Sequence, residues 1–382
     1  MENARVRRVV FPQVTTTSIY SSSNPASAGT SITLMAAVAP GWAPGSVEFF
    51  DGTASLGSVV VSGGAASLSG INLSAGSHSV TAVYSGGPGF SGSTSPVLNQ
   101  VITKTNSTTT LYSNPNPSLQ GQSVTFTAYV ASGPVIVGNV SFYDGSSLLG
   151  TSTLTAGSAS WTAVLSPGAH SLTAVYSGSA TYNGSTSPVL VQTVKFNTTT
   201  NLAAAPNPSG FGQAITFTAT VSPGPAGWDQ SVWFYEGSTC IGTATLNNAV
   251  ATWVTSSLTL GSHSITAVYM GSGTHNISQS APVVVTVNKA NTTTIVTSSR
   301  NPSVRNQAVT FIATVSSSAA TGTVQFRDGS TVLGTGSLSN GAASFTTASL
   351  SVATHSITAV YSGDVNHNGS TSAALSQVVQ RK

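Results

Sequence analysis

Residues 76–84 read GSHSVTAVY, and close copies of this stretch recur at residues 168–176, 261–269 and 353–361. The repeat period is therefore about 92 residues. After its first two residues each copy alternates polar and apolar side chains, as expected for a strand with one buried face. A period of this length indicates tandem copies of one module rather than one large domain.

Two further markers recur in the same register. An acidic residue followed by glycine appears once per period, and a run of three threonines opens each period at residues 15–17, 108–110, 198–200 and 292–294. The acid–glycine pairs favour hairpin turns, because glycine tolerates positive φ. Together the markers predict an N-terminal arm over residues 1–14 and four modules over residues 15–104, 105–195, 196–289 and 290–382.

Each module contains about seven alternating segments separated by turn signals, and no window shows a helical period. This pattern predicts an all-β chain of four tandem immunoglobulin-like β-sandwiches of about seven strands each. The connections at Lys104, Lys195 and Lys289 are short, so we expect the modules to form an extended rod. A seven-residue strand spans about 23 Å, which gives about 150 Å for four modules in line.

The composition excludes several classes of function. Only 5% of residues are charged, and the net charge of +3 comes with no dense basic patch, so nucleic-acid binding is not expected. The basic arm with Arg5, Arg7 and Arg8 is interpreted as a short solvated segment, and residues 1–14 lack the apolar core of a secretory signal. The longest apolar runs are too short to span a membrane.

One histidine per module is the third residue of the recurrent stretch: His78, His170, His263 and His355. Nearby serines and acids suggest a catalytic triad, but the pattern indicates neither a pocket nor a group that would orient the base. We interpret these histidines as structural corners, in which an imidazole N–H bonds the preceding turn as a corner tyrosine does in many sandwiches. The chain is therefore predicted to be no enzyme and to have no catalytic, cofactor-binding or metal-binding residue. A calcium ion needs six or more oxygens, whereas each acid–glycine turn offers one carboxylate.

Two other positions carry residue types that can take part in binding or catalysis, but their sequence context indicates structural roles. Cys240 is the single cysteine and cannot form an intramolecular disulfide; it replaces Leu148 in the repeat and is expected to be a small buried side chain. Large apolar residues share another position, which predicts a place in each core: Leu68, Trp161, Trp253 and Phe345.

The loop between the second and third strands carries Trp42, Ile136, Trp228 and Ala320 in the four modules. In an immunoglobulin-like sandwich this loop is expected to face the base of the preceding module, which would bury Ile136 and Trp228 between modules. Trp42 has no preceding module in this sequence. We therefore expect Trp42 to rest on the arm near Phe11 or to contact another molecule. Both of these contacts are favoured over carbohydrate binding.

Several motifs together resemble bacterial immunoglobulin-like repeat domains of large surface and secreted proteins. These motifs are the threonine run, Asn-Pro, Phe-x-Asp-Gly, Gly-x-His-Ser-x-Thr-Ala-Val-Tyr and the closing Ser-Thr-Ser-Pro-Val-Leu. The resemblance covers about residues 15–382 and implies a spacer or adhesive stalk without catalytic residues. Members of this family often have Tyr-Ser-Gly-Asp after the recurrent strand. Here only residues 361–364 carry that acid.

These observations favour a non-catalytic structural spacer or adhesive stalk of an extracellular or cell-surface assembly. Two alternatives stay open: a virion decoration or tail component, and a subunit of a head-to-tail filament formed by strand addition through the N-terminal arm. The expected partners are proteins or copies of the chain itself, with a surface glycan as a weaker alternative. Neither nucleic acid nor a cofactor is expected.

Overall fold

The computed structural model describes residues 10–131 and 136–382, apart from the side chains of residues 228 and 229. These residues form strands and loops, and none of them lies in a helix. The chain divides into two compact units, Met1–Val194 and Lys195–Lys382, and each unit holds two modules.

The first unit begins with module 1, whose strands are β1 (Thr16–Ser21), β2 (Ala26–Ser27), β3 (Ile32–Ala39), β4 (Ser46–Asp51), β5 (Ala54–Val60), β6 (Ala65–Ile71), β7 (Gly76–Tyr84), β8 (Ser93–Thr94) and β9 (Leu98–Thr103). Module 2 follows with β10 (Thr108–Asn114), β11 (Ser118–Leu119), β12 (Ser123–Ala131), β13 (Asn139–Asp144), β14 (Ser147–Thr153), β15 (Ser158–Val164), β16 (Gly168–Tyr176), β17 (Ser185–Thr186) and β18 (Leu190–Lys195).

The second unit repeats this order. Module 3 contains β19 (Thr199–Ala205), β20 (Ser209–Gly210), β21 (Ile215–Ser222), β22 (Trp228–Glu236), β23 (Thr239–Asn247), β24 (Val250–Thr255), β25 (Gly261–Tyr269), β26 (Ser278–Gln279) and β27 (Val283–Asn288). Module 4 contains β28 (Thr294–Ser298), β29 (Ser303–Val304), β30 (Val309–Val315), β31 (Thr323–Asp328), β32 (Thr331–Ser337), β33 (Ala342–Thr347), β34 (Thr354–Tyr361), β35 (Ser370–Thr371) and β36 (Leu375–Gln380).

Each module is a sandwich of two sheets. In module 1 a sheet of order β1-β3-β6 faces a sheet of order β2-β9-β7-β4-β5, with β8 paired to β7. Strand β2 runs parallel to β9, and the other pairs are antiparallel. Modules 2 and 4 repeat this order, while in module 3 the pair Asn247 and Val250 joins the two sheets. The prediction of four tandem immunoglobulin-like sandwiches is confirmed, with two short strands added to the seven long ones per module.

The core of each module follows from the alternation in the sequence. Along β12 the residues Val124, Phe126, Ala128 and Val130 are buried while their neighbours are partly or fully exposed. They meet the inward residues of the facing sheet in one cluster per module. Burial of this apolar surface stabilises each module at roughly 25 cal/mol per Å².

The large apolar residue on the sixth strand of each module closes one side of the core. Trp161, Trp253 and Phe345 are partly buried against their clusters. A Cβ added at Gly150 would lie 2.2 Å from Trp161, and one added at Gly334 would lie 2.1 Å from Phe345. The aromatic ring therefore occupies the space that this glycine leaves empty.

Cys240 is exposed, so the expectation of a buried side chain is wrong. The residue pairs with Tyr235 beside the hairpin turn between β22 and β23. Its counterpart Leu148 is itself 58% exposed. At this position side chains point away from the facing sheet, and hydrophobic character alone does not reveal which side of an edge strand a residue occupies.

The two ends of a module carry different loops. Thr16 pairs with Ala39, so the loop of residues 40–45 lies at the end where the chain enters module 1. The same end carries what we call the tip loop, between the seventh and eighth strands: residues 85–92, 177–184, 270–277 and 362–369. The acid–glycine turn and the recurrent histidine lie at the opposite end, where the last strand leaves the module.

Candidate functional site

The recurrent histidine and the acid–glycine turn meet in every module. His170 Nδ1 lies 2.7 Å from Asp144 Oδ2, and its Nε2 lies 2.8 Å from the carbonyl oxygen of Ser166. The same three groups recur as His78 with Asp51 and Ser74, His263 with Glu236 and Thr259, and His355 with Asp328 and Ser351. We call this arrangement the histidine corner.

Both partners of the imidazole are hydrogen-bond acceptors. A neutral ring has one N–H and can satisfy only one of them, whereas the imidazolium donates to both. Burial lowers the pKa of His170, but the hydrogen bonds to Asp144 and Ser166 more than offset this, and the net pKa lies above its usual value of 6.5. The pKa values of His78, His263 and His355 are raised in the same way.

The histidine corner holds the acid–glycine turn and the preceding loop against the start of the recurrent strand. Asp144 Oδ1 also accepts the backbone N–H of Ser171 at 3.2 Å. The ring of His170 is buried, with its side chain 10% exposed. A buried imidazole with both nitrogens engaged is a fastening group rather than a general base, so a structural corner remains our proposal for these four residues.

The first joint between modules is one residue long. Strand β9 ends at Thr103, and Thr105 already bonds the tip loop of module 2 through Thr181 O at 2.9 Å and Asn183 N at 2.8 Å. Lys104, between them, donates from Nζ to Ser179 O at 2.7 Å. A Cβ added at Gly29 of module 1 would lie 3.3 Å from the Thr181 side chain, so the tip loop contacts the preceding module.

The joint between modules 3 and 4 has the same design with larger side chains. Ala290 bonds the tip loop of module 4 through Asn366 O and Asn368 N, and Lys289 Nζ donates to Asp364 O at 2.5 Å. In addition, the ring of Phe211 packs edge-on against His367 at a centroid distance of 6.5 Å. The tip loop of module 4 therefore contacts module 3 through both charged and aromatic groups.

A row of serine, histidine and aspartate lies in module 4. Ser317 Oγ is 3.0 Å from His367 Nε2, and His367 Nδ1 is 2.9 Å from Asp364 Oδ1. The carboxylate also accepts the N–H groups of Asn366, His367 and Thr321. Burial raises the pKa of Asp364, but these donors outweigh it and hold the pKa well below its usual range. We interpret the row as the fastening of the tip loop, because its acid bonds the loop backbone itself.

The residues of the second-to-third-strand loop are placed differently from the expectation. Ile136 is buried in the core of its own module, as Ala320 is, so the expected burial of Ile136 between modules is wrong. In module 1 the residue that corresponds to Ile136 and Ala320 is Ala43, because each of them lies two residues before the last glycine of its loop. Ala43 is buried in the core of module 1. The neighbouring Trp42 is 73% exposed. Phe11 is 83% exposed. The side chain of Trp228 lies outside the described part.

A buried serine on the second strand of modules 2, 3 and 4 allows an internal comparison. Ser118 and Ser303 accept a hydrogen bond from Gln192 and Gln377 at 3.2 and 3.3 Å. In module 3 valine occupies the glutamine position, as Val285, and within the described part no group bonds Ser209 Oγ.

We expect Ser209→Ala to leave the melting temperature of the chain unchanged or slightly raised, because it removes a buried hydroxyl that has no partner. Ser303→Ala is the matched control in the same unit, and it should destabilise module 4 by about 1 kcal/mol because it breaks a buried hydrogen bond. Differential scanning calorimetry of the two variants makes the comparison. A larger loss for Ser209→Ala than for Ser303→Ala would contradict it.

The residues that the structure describes lack two kinds of feature. They hold no group of three or more His, Cys, Asp or Glu side chains placed to bind a metal ion. They also hold no helix with the length and apolar character needed to cross a membrane.

The family model of the bacterial Ig-like domain (group 3) matches residues 19–103, 110–195, 202–288 and 296–380. No curated protein matches.

Among solved structures, the D1–D4 ectodomain fragment of ICAM-5 is 14% identical, with 95% of this chain and 99% of that chain covered and a TM-score of 0.47. The Escherichia coli adhesin FdeC is 14% identical over 72% of this chain and 96% of that chain, with a TM-score of 0.29. The fibronectin(III)-like modules of Clostridium thermocellum CbhA are 17% identical over 46% and 92%, with a TM-score of 0.22. These three likenesses are too distant to inform function, whereas the family matches cover most of the chain. The protein belongs to the bacterial Ig-like domain (group 3) family and contains four copies of that domain in tandem.

Proposed function

We propose that this protein is a non-catalytic structural spacer or adhesive stalk of an extracellular or cell-surface assembly. The observation that carries the proposal is the one-residue joint, seen at Lys104 and at Lys289. On either side of it the chain is bonded into a module, and the next tip loop contacts the preceding module. Such a joint supports a role in holding domains in a defined series.

The surface composition supports the same role. Charged residues make up 5% of the chain, and serine, threonine and glycine replace them at exposed positions. No cysteine pair is available, so each module is stabilised by packing and by polar fastenings such as the histidine corner. Both imidazole nitrogens are engaged, one by the acid and the other by a backbone carbonyl, so the ring has no free nitrogen that could act as a base toward a substrate.

Small-angle X-ray scattering of the full chain tests the spacer proposal. Four modules in series at about 40 Å each should give a maximum dimension of about 150 Å. A compact particle in which the four modules cluster would contradict the proposal. Comparison with a variant carrying six glycine and serine residues inserted after Lys104 provides the control, because a flexible insertion should broaden the distribution of distances.

We propose further that Trp42 and Phe11 contact a protein partner or another copy of the chain. Both side chains are exposed, at 73% and 83%, and they lie near the end of module 1 where the chain enters. In modules 2 and 4 the tip loop at this end contacts another module of the same kind. Exposed aromatic side chains at such an end are typical of anchors in protein interfaces.

Fluorescence quenching tests this contact in a variant that retains Trp42 as its single tryptophan. The other tryptophans are replaced by phenylalanine, because module 4 has phenylalanine at the position of Trp161. Acrylamide should quench Trp42 strongly at low protein concentration, and a partner or a higher protein concentration should protect it. A variant that retains only Trp228 is the control. The partner proposal fails if Trp42 is as shielded as Trp228 at low concentration even after residues 1–13 are deleted.

A further inference from the structure

A cleft of about 750 Å³ lies at the joint between modules 3 and 4. This volume is within the range of small-molecule sites, which also occur preferentially where domains meet. The side chains at its wall include one aromatic ring, Phe211, and an unusual number of amides: Gln213, Asn288, Asn291 and Asn368.

Some polar atoms of these amides are engaged and others are available. Asn368 Nδ2 donates to Asn291 Oδ1 at 2.9 Å, and Gln213 Oε1 accepts the N–H of Gly210 at 2.9 Å. In the described part of the chain, no protein group bonds Gln213 Nε2, Asn291 Nδ2 or Asn368 Oδ1. The cleft therefore offers both donors and acceptors to a ligand.

Most polar side chains of the cleft are uncharged amides. Its one cation, Lys289, is held by the carbonyl oxygen of Asp364, just as Lys104 is held by Ser179 at the other joint. The lining residues include no carboxylate. Amides that can donate and accept, beside one aromatic ring, suit a ligand with many hydroxyl groups and apolar C–H faces.

The joint between modules 1 and 2 is an internal comparison. Its cleft measures about 370 Å³ and is lined mainly by small side chains. Ala28 takes the place of Phe211, since both backbone N–H groups bond the last residue of their module's final strand. That residue is Thr103 in module 1 and Asn288 in module 3. The aromatic ring and the four lining amides thus distinguish the cleft between modules 3 and 4.

We propose that the cleft between modules 3 and 4 binds a short, uncharged oligosaccharide. Phe211 would pack against a C–H face of one sugar, and Asn291, Asn368 and Gln213 would bond its hydroxyl groups. This site is separate from Trp42 and lies at the other unit's joint, so it adds a second class of ligand to the spacer role.

The test is saturation-transfer NMR of the full chain with maltotriose, cellotriose, chitotriose and lacto-N-tetraose, followed by calorimetric titration of each saccharide that gives a signal. We expect at least one to bind, and Phe211→Ala and Asn291→Ala each to weaken its affinity at least tenfold. Phe211→Ala introduces the residue type that module 1 carries, so it should fold, and circular dichroism will verify this.

Asn106→Ala is the matched control, because Asn106 Oδ1 accepts from Asn183 Nδ2 at 2.8 Å just as Asn291 accepts from Asn368. This variant should bind as the unchanged chain does. Three results would overturn the proposal: no saccharide binds at millimolar concentration, binding survives both substitutions in the cleft, or Asn106→Ala weakens binding equally.

Discussion

Replacing His170 with alanine is expected to lower the free energy of unfolding of module 2 by about 1 to 3 kcal/mol. The substitution leaves Asp144 and the carbonyl of Ser166 without the donors that lie 2.7 and 2.8 Å from them. Trp161 is the one tryptophan of module 2, so its fluorescence in a variant without the other tryptophans reports urea unfolding of this module. An unchanged urea midpoint would show that the histidine corner contributes nothing to stability.

The same corner should make stability depend on pH. Because the folded pKa of His170 is raised above the usual 6.5, its contribution is fully present below that value and is lost as the pH rises through the folded pKa. The urea midpoint of module 2 should therefore fall as the pH is raised from about 6 to about 9. In the His170→Ala variant this decline should disappear. A midpoint that rises over this interval would contradict the assignment.

Replacing Gly150 with alanine should lower the free energy of unfolding of module 2 at least as much as His170→Ala does. The new Cβ would lie 2.2 Å from the indole of Trp161, and overpacking of this kind costs about 1 to 3 kcal/mol and occasionally more. Gly150 has no positive φ, so the effect would be steric and not a backbone strain. Differential scanning calorimetry at fixed pH measures the loss, because it needs no tryptophan in module 2.

A double-mutant cycle tests the cause. Module 1 has Leu68 at the Trp161 position, where a Cβ added at Gly57 would lie 3.3 Å away. The combination of Gly150→Ala and Trp161→Leu should therefore lose less stability than the sum of the two single changes. Gly273→Ala is the control, because nothing lies within 4 Å of its added Cβ. Additive losses in the cycle would exclude the indole as the obstacle.

The fold was accessible from the sequence because its two signals are local or periodic. Alternation along β12 and β16 reports which side chains are buried, and the 92-residue period reports how often the module recurs. The joint of one residue was also foreshadowed by the short connection at Lys104. Its bonds to the tip loop could not be foreseen, since they join residues 75 to 78 positions apart.

Of the two bonds that the recurrent histidine makes, the sequence suggested only the one to the preceding loop. The bond from His170 to the preceding loop spans four residues, which a local pattern can suggest, but the bond to Asp144 spans 26. The signal for the longer bond was present, because an acid stands 26 or 27 residues before each histidine. Cys240 and Ile136 were misplaced for a simpler reason: a loop or an edge strand lacks the alternation that fixes which way a side chain points.

The short parallel pairing at the edge of modules 1, 3 and 4 has a mechanical consequence. Ala26 pairs with Ile102 and Ser27 with Thr103, so the first and last parts of module 1 run in the same direction side by side. Tension applied through the polypeptide on both sides of the module pulls these two strands in opposite directions along their length. Their hydrogen bonds are then loaded together in shear and cannot open one after another as the rungs of a hairpin do. The resistance of such a domain to extension is set more by its unfolding rate under load than by its free energy of unfolding at equilibrium.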